Sequence, residues 1–291
     1  MSVDPAELRA LGRPIRGPSA LGGDARRFFH LTWTLATTEF KLRFFGSVLG
    51  YFWQLLRPLM LFGVLLVVFT KFVRLGNDTP DYAVVLLMDI VIFTFFADAT
   101  GGSVSSLVDR ENLVRKIQFP RMVVPLAVVL NAYFNLLLNV VVVFLFAAAG
   151  SGSYAKDFEP RLSWLELPVL LLFLGVFVVG VAMLLSALFV RFRDVQPIWE
   201  VVAQALFYAS PVIYAIEKIP DKALQPFVMA NPVSVVLTQA RHAVIDPNAP
   251  SAAHAIGGAG RLAIPMGIVV GVFALGFWLF NREAPRIAEQ L

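Results

Sequence analysis

AVVLLMDIVIFTFFADATGG (residues 83–102) and MVVPLAVVLNAYFNLLLNVVVVFLFAAAG (122–150) flank a short charged island, ENLVRKIQFPR (111–121). Each flank has the length and greasiness of a helix that crosses a bilayer, which takes about 20 apolar residues. The island is too short to be a domain. Its pattern predicts about two and a half turns of helix over 109–118. Leu113 and Ile117 stack at i, i+4 with Val114 beside them. Asp109 and Glu111 suit the N-terminal end of such a rod, Arg115 and Lys116 the C-terminal end, and Pro120 stops it. A capped rod with an apolar ridge between charges suits docking into a groove of another protein. On these features alone, lying flat on lipid is the other reading.

Composition extends that reading to the whole chain. Of 291 residues 58% are hydrophobic and 15% charged, against about 25% charged in a soluble domain. The excess apolar surface calls for lipid rather than one soluble core. There is no cysteine, so disulfides, thiolate metal sites and a thiol nucleophile are excluded. The net charge of +4 is assigned to loops held at the inner face of a membrane, not to nucleic acid.

Working outward, residues 1–25 lack the apolar core of a signal peptide and read as a disordered cytoplasmic tail. Residues 25–45 are amphipathic. Phe28, Leu31, Leu35, Leu42 and Phe45 share one side, and Arg27, His30, Thr34, Thr37 and Lys41 the other, as in a helix lying in the headgroup plane. Six spans are expected at about 47–72, 82–106, 122–149, 164–190, 196–215 and 262–280. Residues 217–246 are too short in each helical piece to cross and read as an external re-entrant hairpin. Pro220 and Pro232 open its two helices, with Asn231 as N-cap of the second. Residues 283–291 form a cytoplasmic tail. The expected class is thus an all-α integral membrane protein, with residues 26–282 as its transmembrane domain.

Three polar features interrupt the spans. Arg57-Pro58 lies in the first and predicts a kink. Asp89 and Asp98 lie in the second, where they cost about 5–7 kcal/mol against about 3–6 gained from ten apolar neighbours. That helix therefore turns its acids toward protein or water. Helix-packing glue is the favoured role for them and a proton relay the alternative. No Lys or His in a neighbouring span is available as their partner. Asn131, Asn135 and Asn139 share one face of the third span, where interhelical hydrogen bonds are expected.

With the N-terminus inside, inner segments hold fifteen Lys and Arg and outer segments eight. Both termini and the island are therefore expected in the cytoplasm. Enzyme signatures are weak. His30, His242 and His254 are scattered, and no HExxH or GxSxG motif occurs. GSGSYAKD (150–157) lacks the Gly before Lys156 and the Ser/Thr after it that a phosphate loop needs. No catalytic residue and no metal ligand is assigned.

GYFWQLLRPL (50–59), NLVRKIQFPR (112–121), RFRDV (191–195), FYASPVIY (207–214) and NPV (231–233) occur in order. Together they resemble the permease subunit of ABC exporters of lipid-linked polysaccharide, the O-antigen, teichoic acid and galactan type, over roughly residues 26–282. The resemblance implies a homodimer in the bacterial plasma membrane with two copies of a separate ATPase, which uses ATP and Mg; this chain binds no cofactor. It implies that Asn112, Leu113, Val114, Arg115, Lys116 and Ile117 form the coupling helix on the ATPase. It implies a channel lined by Tyr51, Trp53, Phe207, Tyr208 and Tyr214, and a gate involving Pro211, Asn231 and Pro232. Aromatic faces suit sugars because they stack on C–H faces; as residues alone, Tyr51 and Tyr214 fit interface anchors equally well. Family members often carry Gly and Trp where this chain has Asp89 and Phe93. The alternatives are a drug or small-lipid exporter permease, an intramembrane glycan-processing enzyme, and an ATP-independent carrier, which Asp89 keeps open.

Overall fold

A computed structural model describes residues 21, 24–44, 50–74, 79–112, 119–150, 161–285 and 287. Among these residues the chain is helical, without strands. Helix α1 spans Ala25–Phe44; the Asp24 Oδ1 accepts the Arg26 N–H at 2.9 Å and caps its N-terminus. Helix α2, Gly50–Val67, carries Pro58 inside and runs into a π turn, Val68–Phe72. Then come α3 (Tyr82–Val104), α4 (Val123–Ala149), α5 (Glu166–Arg191) and α6 (Val195–Ala209). The short helix α7, Pro232–Ala240, and the final α8, Ala263–Glu283, complete the set.

The segments Phe52–Phe72, Tyr82–Val104, Val123–Ala149, Leu162–Arg191 and Ala259–Glu283 are long and apolar enough to cross a membrane. The helix expected over 196–215 stops at Ala209 after 15 residues, about 22 Å. Its terminator is Pro211. Ser210 stands before that proline with extended backbone (ψ 151°), because the ring disfavours helical geometry in the preceding residue. Two contacts still run α6 and the turn after it along α3. The Trp199 Nε1–H donates to Thr100 Oγ1 at 3.1 Å, and the Tyr82 hydroxyl donates to the Ile213 carbonyl at 2.8 Å. Thr100 and Tyr82 lie about 27 Å apart along α3.

Helix α3 is the axis of the bundle. Tyr82 through Phe93 are all buried, as are Phe95 and Phe96, as expected of a helix apolar all round. Of its two acids Asp89 is buried and Asp98 half-buried. It ends at Val104, two residues earlier than expected, and Ser105 separates it from a single turn at Ser106–Asp109. Helices α5 and α8 meet backbone to backbone: a Cβ on Gly276 would lie 2.2 Å from the Gly180 carbonyl oxygen, and one on Gly180 would lie 2.8 Å from Phe273 Cα. Small residues of this kind allow close helix contact in a membrane, where no hydrophobic force drives helices together.

A second apolar cluster joins Phe28 of α1, Leu107, Phe119, the start of α4, Met183 and Val190 of α5, and Phe280 of α8. Arg121 is buried, and its Nη1 donates to the Ala284 carbonyl at 2.6 Å, closing the end of α8.

Within residues 217–246, the first short helix differs from expectation. It is only Gln225–Met229, opened by Pro226 rather than Pro220. The Asp221 carboxylate accepts the Ala223 N–H at 2.9 Å, and this Asx turn holds 221–224 out of the helix. Asn231 caps α7 as predicted, its Oδ1 accepting the Val233 N–H at 3.0 Å ahead of Pro232.

Candidate translocation path and coupling segment

The coupling candidates Leu113, Val114, Arg115, Lys116 and Ile117 lie outside the described residues. Their mounting points do not. Leu107 and Phe119, on either side, are both buried in the cluster that ties α1, α4, α5 and α8. Arg110, at the base of the segment, donates from Nε to Glu39 Oε1 of α1 at 2.8 Å. Asn112 is exposed. The segment is therefore anchored at both ends, and α1 is bonded to its entry. Movement of the segment would bear on both the bundle and α1.

Of the channel candidates, Trp53 on α2 is 57% exposed and Tyr208 on α6 is 59% exposed. The side chain of Tyr51 lies outside the described residues. Phe207 is half-buried and packs edge-on against Phe93 of α3 at 5.1 Å and against Tyr208 at 5.3 Å. Tyr214, beyond the helix, is half-buried and its hydroxyl donates to the Ala209 carbonyl at 3.3 Å. The structure thus joins Phe207, Tyr208 and Phe93 in one aromatic step and leaves Trp53 on a separate helix.

Helix α6 also carries a feature that sequence reading missed. Gln196, Glu200, Gln204 and Tyr208 are all exposed and recur every four residues, which places them on one face. A polar stripe of this kind is costly against hydrocarbon and belongs against water or protein. The four-residue period is visible in the sequence, but an expected span drew attention to its apolar residues instead.

The gate candidates are close together. The Asn231 Nδ2 donates to Ser210 Oγ at 2.9 Å, tying the start of α7 to the end of α6 beside the buried Pro211. Pro211, Tyr214, Asp89 and Arg241 line one small cavity. Arg241 is 5% exposed and reaches Glu217 at 2.9 Å and Asp246 at 3.9 Å. This buried guanidinium ties residues 217–246 together internally, and Asp89 of α3 lines the same space.

The polar residues of the spans pair differently from expectation. Asp98 has a basic neighbour after all: Arg57 of α2, at 3.7 Å. Arg57 is the one arginine inside an expected span. Among the described residues, the asparagines of α4 form no interhelical hydrogen bond. The Asn139 Nδ2 donates to the Asn135 carbonyl at 2.8 Å within the helix. The side-chain oxygens of Asn131 and Asn135 are buried and have no hydrogen-bond partner among the described residues.

The sequence profile of the ABC-2 type transporter family matches residues 30–245, a stretch from within α1 to just past α7. The chain belongs to the ABC-2 type transporter family. It is similar to two proteins named O-antigen export system permease protein RfbA from Klebsiella pneumoniae, 29% and 27% identical over 197 residues, 67% of this chain and 72% of each relative. RfbA of Myxococcus xanthus is 27% identical over 220 residues, 75% of this chain and 82% of that protein. An ABC-2 permease is the membrane subunit of a transporter, not an enzyme, and works with an ATPase partner.

Proposed function

We propose that this chain is the permease of an ATP-driven exporter that carries lipid-linked polysaccharide of the O-antigen type across a bacterial plasma membrane. The observation that carries the reading is the exposed stripe Gln196–Glu200–Gln204–Tyr208 with its aromatic step. Amide, carboxylate and phenol groups offer both donors and acceptors to sugar hydroxyls, and the rings offer stacking faces. Similarity to permeases named for O-antigen export supports the same cargo class. A hydrophobic drug would gain little from such a face.

Two copies of the chain apply their exposed α2 and α6 faces to each other, so that Trp53 and Tyr208, with Tyr51, Phe207 and Tyr214 nearby, line a shared path. The chain crosses six times. The bonds Trp199–Thr100 and Tyr82–Ile213 support the sixth crossing, because α6 and its turn then match about 27 Å of α3. Both termini lie in the cytoplasm, in keeping with the excess of Lys and Arg there. Two ATPase subunits, which use ATP and Mg, grip residues 112–117. The hairpin after Pro211, pinned by Asn231 and Pro232, closes the outer end.

Deleting the gene in its host tests this. Surface polysaccharide is expected to disappear while lipid-linked glycan accumulates inside. Undiminished surface polysaccharide would overturn the reading.

A further inference from the structure

The geometry points to Arg57 as a phosphate-binding residue on the transport path: its guanidinium receives the anionic group that joins lipid to glycan as the cargo passes. This rests on the export reading above. It narrows the cargo to a glycan carried on a polyprenyl phosphate or diphosphate.

Arg57 differs from the other arginines held in the bundle. Arg110 donates to Glu39 at 2.8 Å, Arg121 to the Ala284 carbonyl at 2.6 Å and Arg241 to Glu217 at 3.1 Å. Arg57 donates to nothing among the described residues. The one acid within 4 Å of it there, Asp98 of α3, stands 3.7 Å from Nη1, beyond hydrogen-bond length. The five N–H donors of its planar fork are therefore unspent, and the side chain is 79% exposed.

Its position says what it meets. Trp53, Met60 and Val64 follow at steps of three and four residues and are exposed too, so the four share one face of α2. An exposed guanidinium on a membrane helix is costly against hydrocarbon and belongs against water or an anion. The export reading turns this face, with Trp53, into the path shared by two copies. Each copy then brings one guanidinium to the path, one turn from an aromatic ring. A guanidinium pairs two N–H groups with two phosphate oxygens, so the ring serves the sugar and Arg57 serves the link.

Asp98 sets the strength of the grip. An acid 3.7 Å away cancels part of the attraction to a second anion. A transport site must bind well enough to admit its ligand and weakly enough to release it. An arginine with an acid beside it, near but not bonded, meets both demands.

The test uses the full-length chain in phosphatidylcholine nanodiscs with tritiated farnesyl diphosphate, and tritiated farnesol as the uncharged probe. The diphosphate is expected to bind at least about tenfold more tightly. Arg57→Gln is expected to erase that preference. Asp98→Asn is expected to tighten diphosphate binding severalfold, whereas loss of either partner of a merely structural ion pair would weaken it. Asp98→Asn decides the matter if Arg57→Gln is not recovered folded. Arg191→Gln, which removes an exposed charge at the end of α5, should change nothing. Neither phosphatidylglycerol in the disc nor inorganic pyrophosphate at the probe's concentration should displace the probe. Displacement by the first would give Arg57 to bulk lipid, and by the second to a free anion. Either displacement, weaker binding in Asp98→Asn, or a preference that survives Arg57→Gln would overturn the site. Gene deletion separates this from the export reading: if the probes fail while deletion still strips the surface polysaccharide, only the role of Arg57 falls.

Discussion

Replacing Leu113 and Ile117 together with aspartate is expected to abolish transport and, in the same preparation, recovery of the ATPase with the permease. The two side chains form the only i, i+4 apolar ridge of the island, and a docked ridge of this kind concentrates binding energy. Two hot-spot side chains at about 2 kcal/mol each correspond to a loss of docking of roughly a thousandfold. Placing a carboxylate in the groove adds a desolvation cost to that loss. The permease itself should survive, because the segment lies between anchors, Leu107 and Phe119, that keep their own packing. A monodisperse permease that no longer brings down ATPase is the expected result. Normal co-purification would remove the docking role.

The second large effect is expected at the crossing of α5 and α8. Gly276→Leu should prevent the permease from being extracted as a folded, monodisperse species, and export should fall to background. A side chain there collides with backbone, the Gly180 carbonyl 2.2 Å from the first added carbon, so no rotamer relieves it. Even Gly276→Ala must separate the helices; overpacking costs about 1–3 kcal/mol when neighbours can yield, and backbone yields least. Gly271 gives the control on the same helix. A Cβ there meets nothing within 4 Å, so Gly271→Ala should leave yield unchanged or raise it, helix propensity favouring alanine by about 1 kcal/mol. Full export by Gly276→Leu would contradict the packing.

Much of the scaffold was legible in the sequence because membrane helices announce themselves by length and apolarity. The limits of α3 and α4 were placed within about two residues, and the Asn231 cap with Pro232 was readable from local chemistry alone. The cost of Asp89 and Asp98 led to the expectation that the acids of α3 face protein or water, and Asp89 is buried in the bundle. What escaped was of two kinds. One was a local rule not applied: Ser210-Pro211 ends α6, and residues before proline leave the helix. The other was pairing across the fold. Arg57 and Asp98 stand 41 positions apart, and nothing along the chain says which spans are neighbours. The spacing of Asn131 and Asn135 gave a shared face, but only the packing shows that, among the described residues, the face makes no interhelical hydrogen bond.

Reconstitution sets the permease and the ATPase that co-purifies with it in proteoliposomes bearing lipid-linked polysaccharide on the ATPase side. Glycan reaching the opposite side is read with a membrane-impermeant lectin. Transfer should require both proteins and ATP, and the permease alone should hydrolyse no nucleotide. Transfer by the permease without the ATPase, or nucleotide hydrolysis by the permease alone, would show that the motor does not reside in a separate subunit.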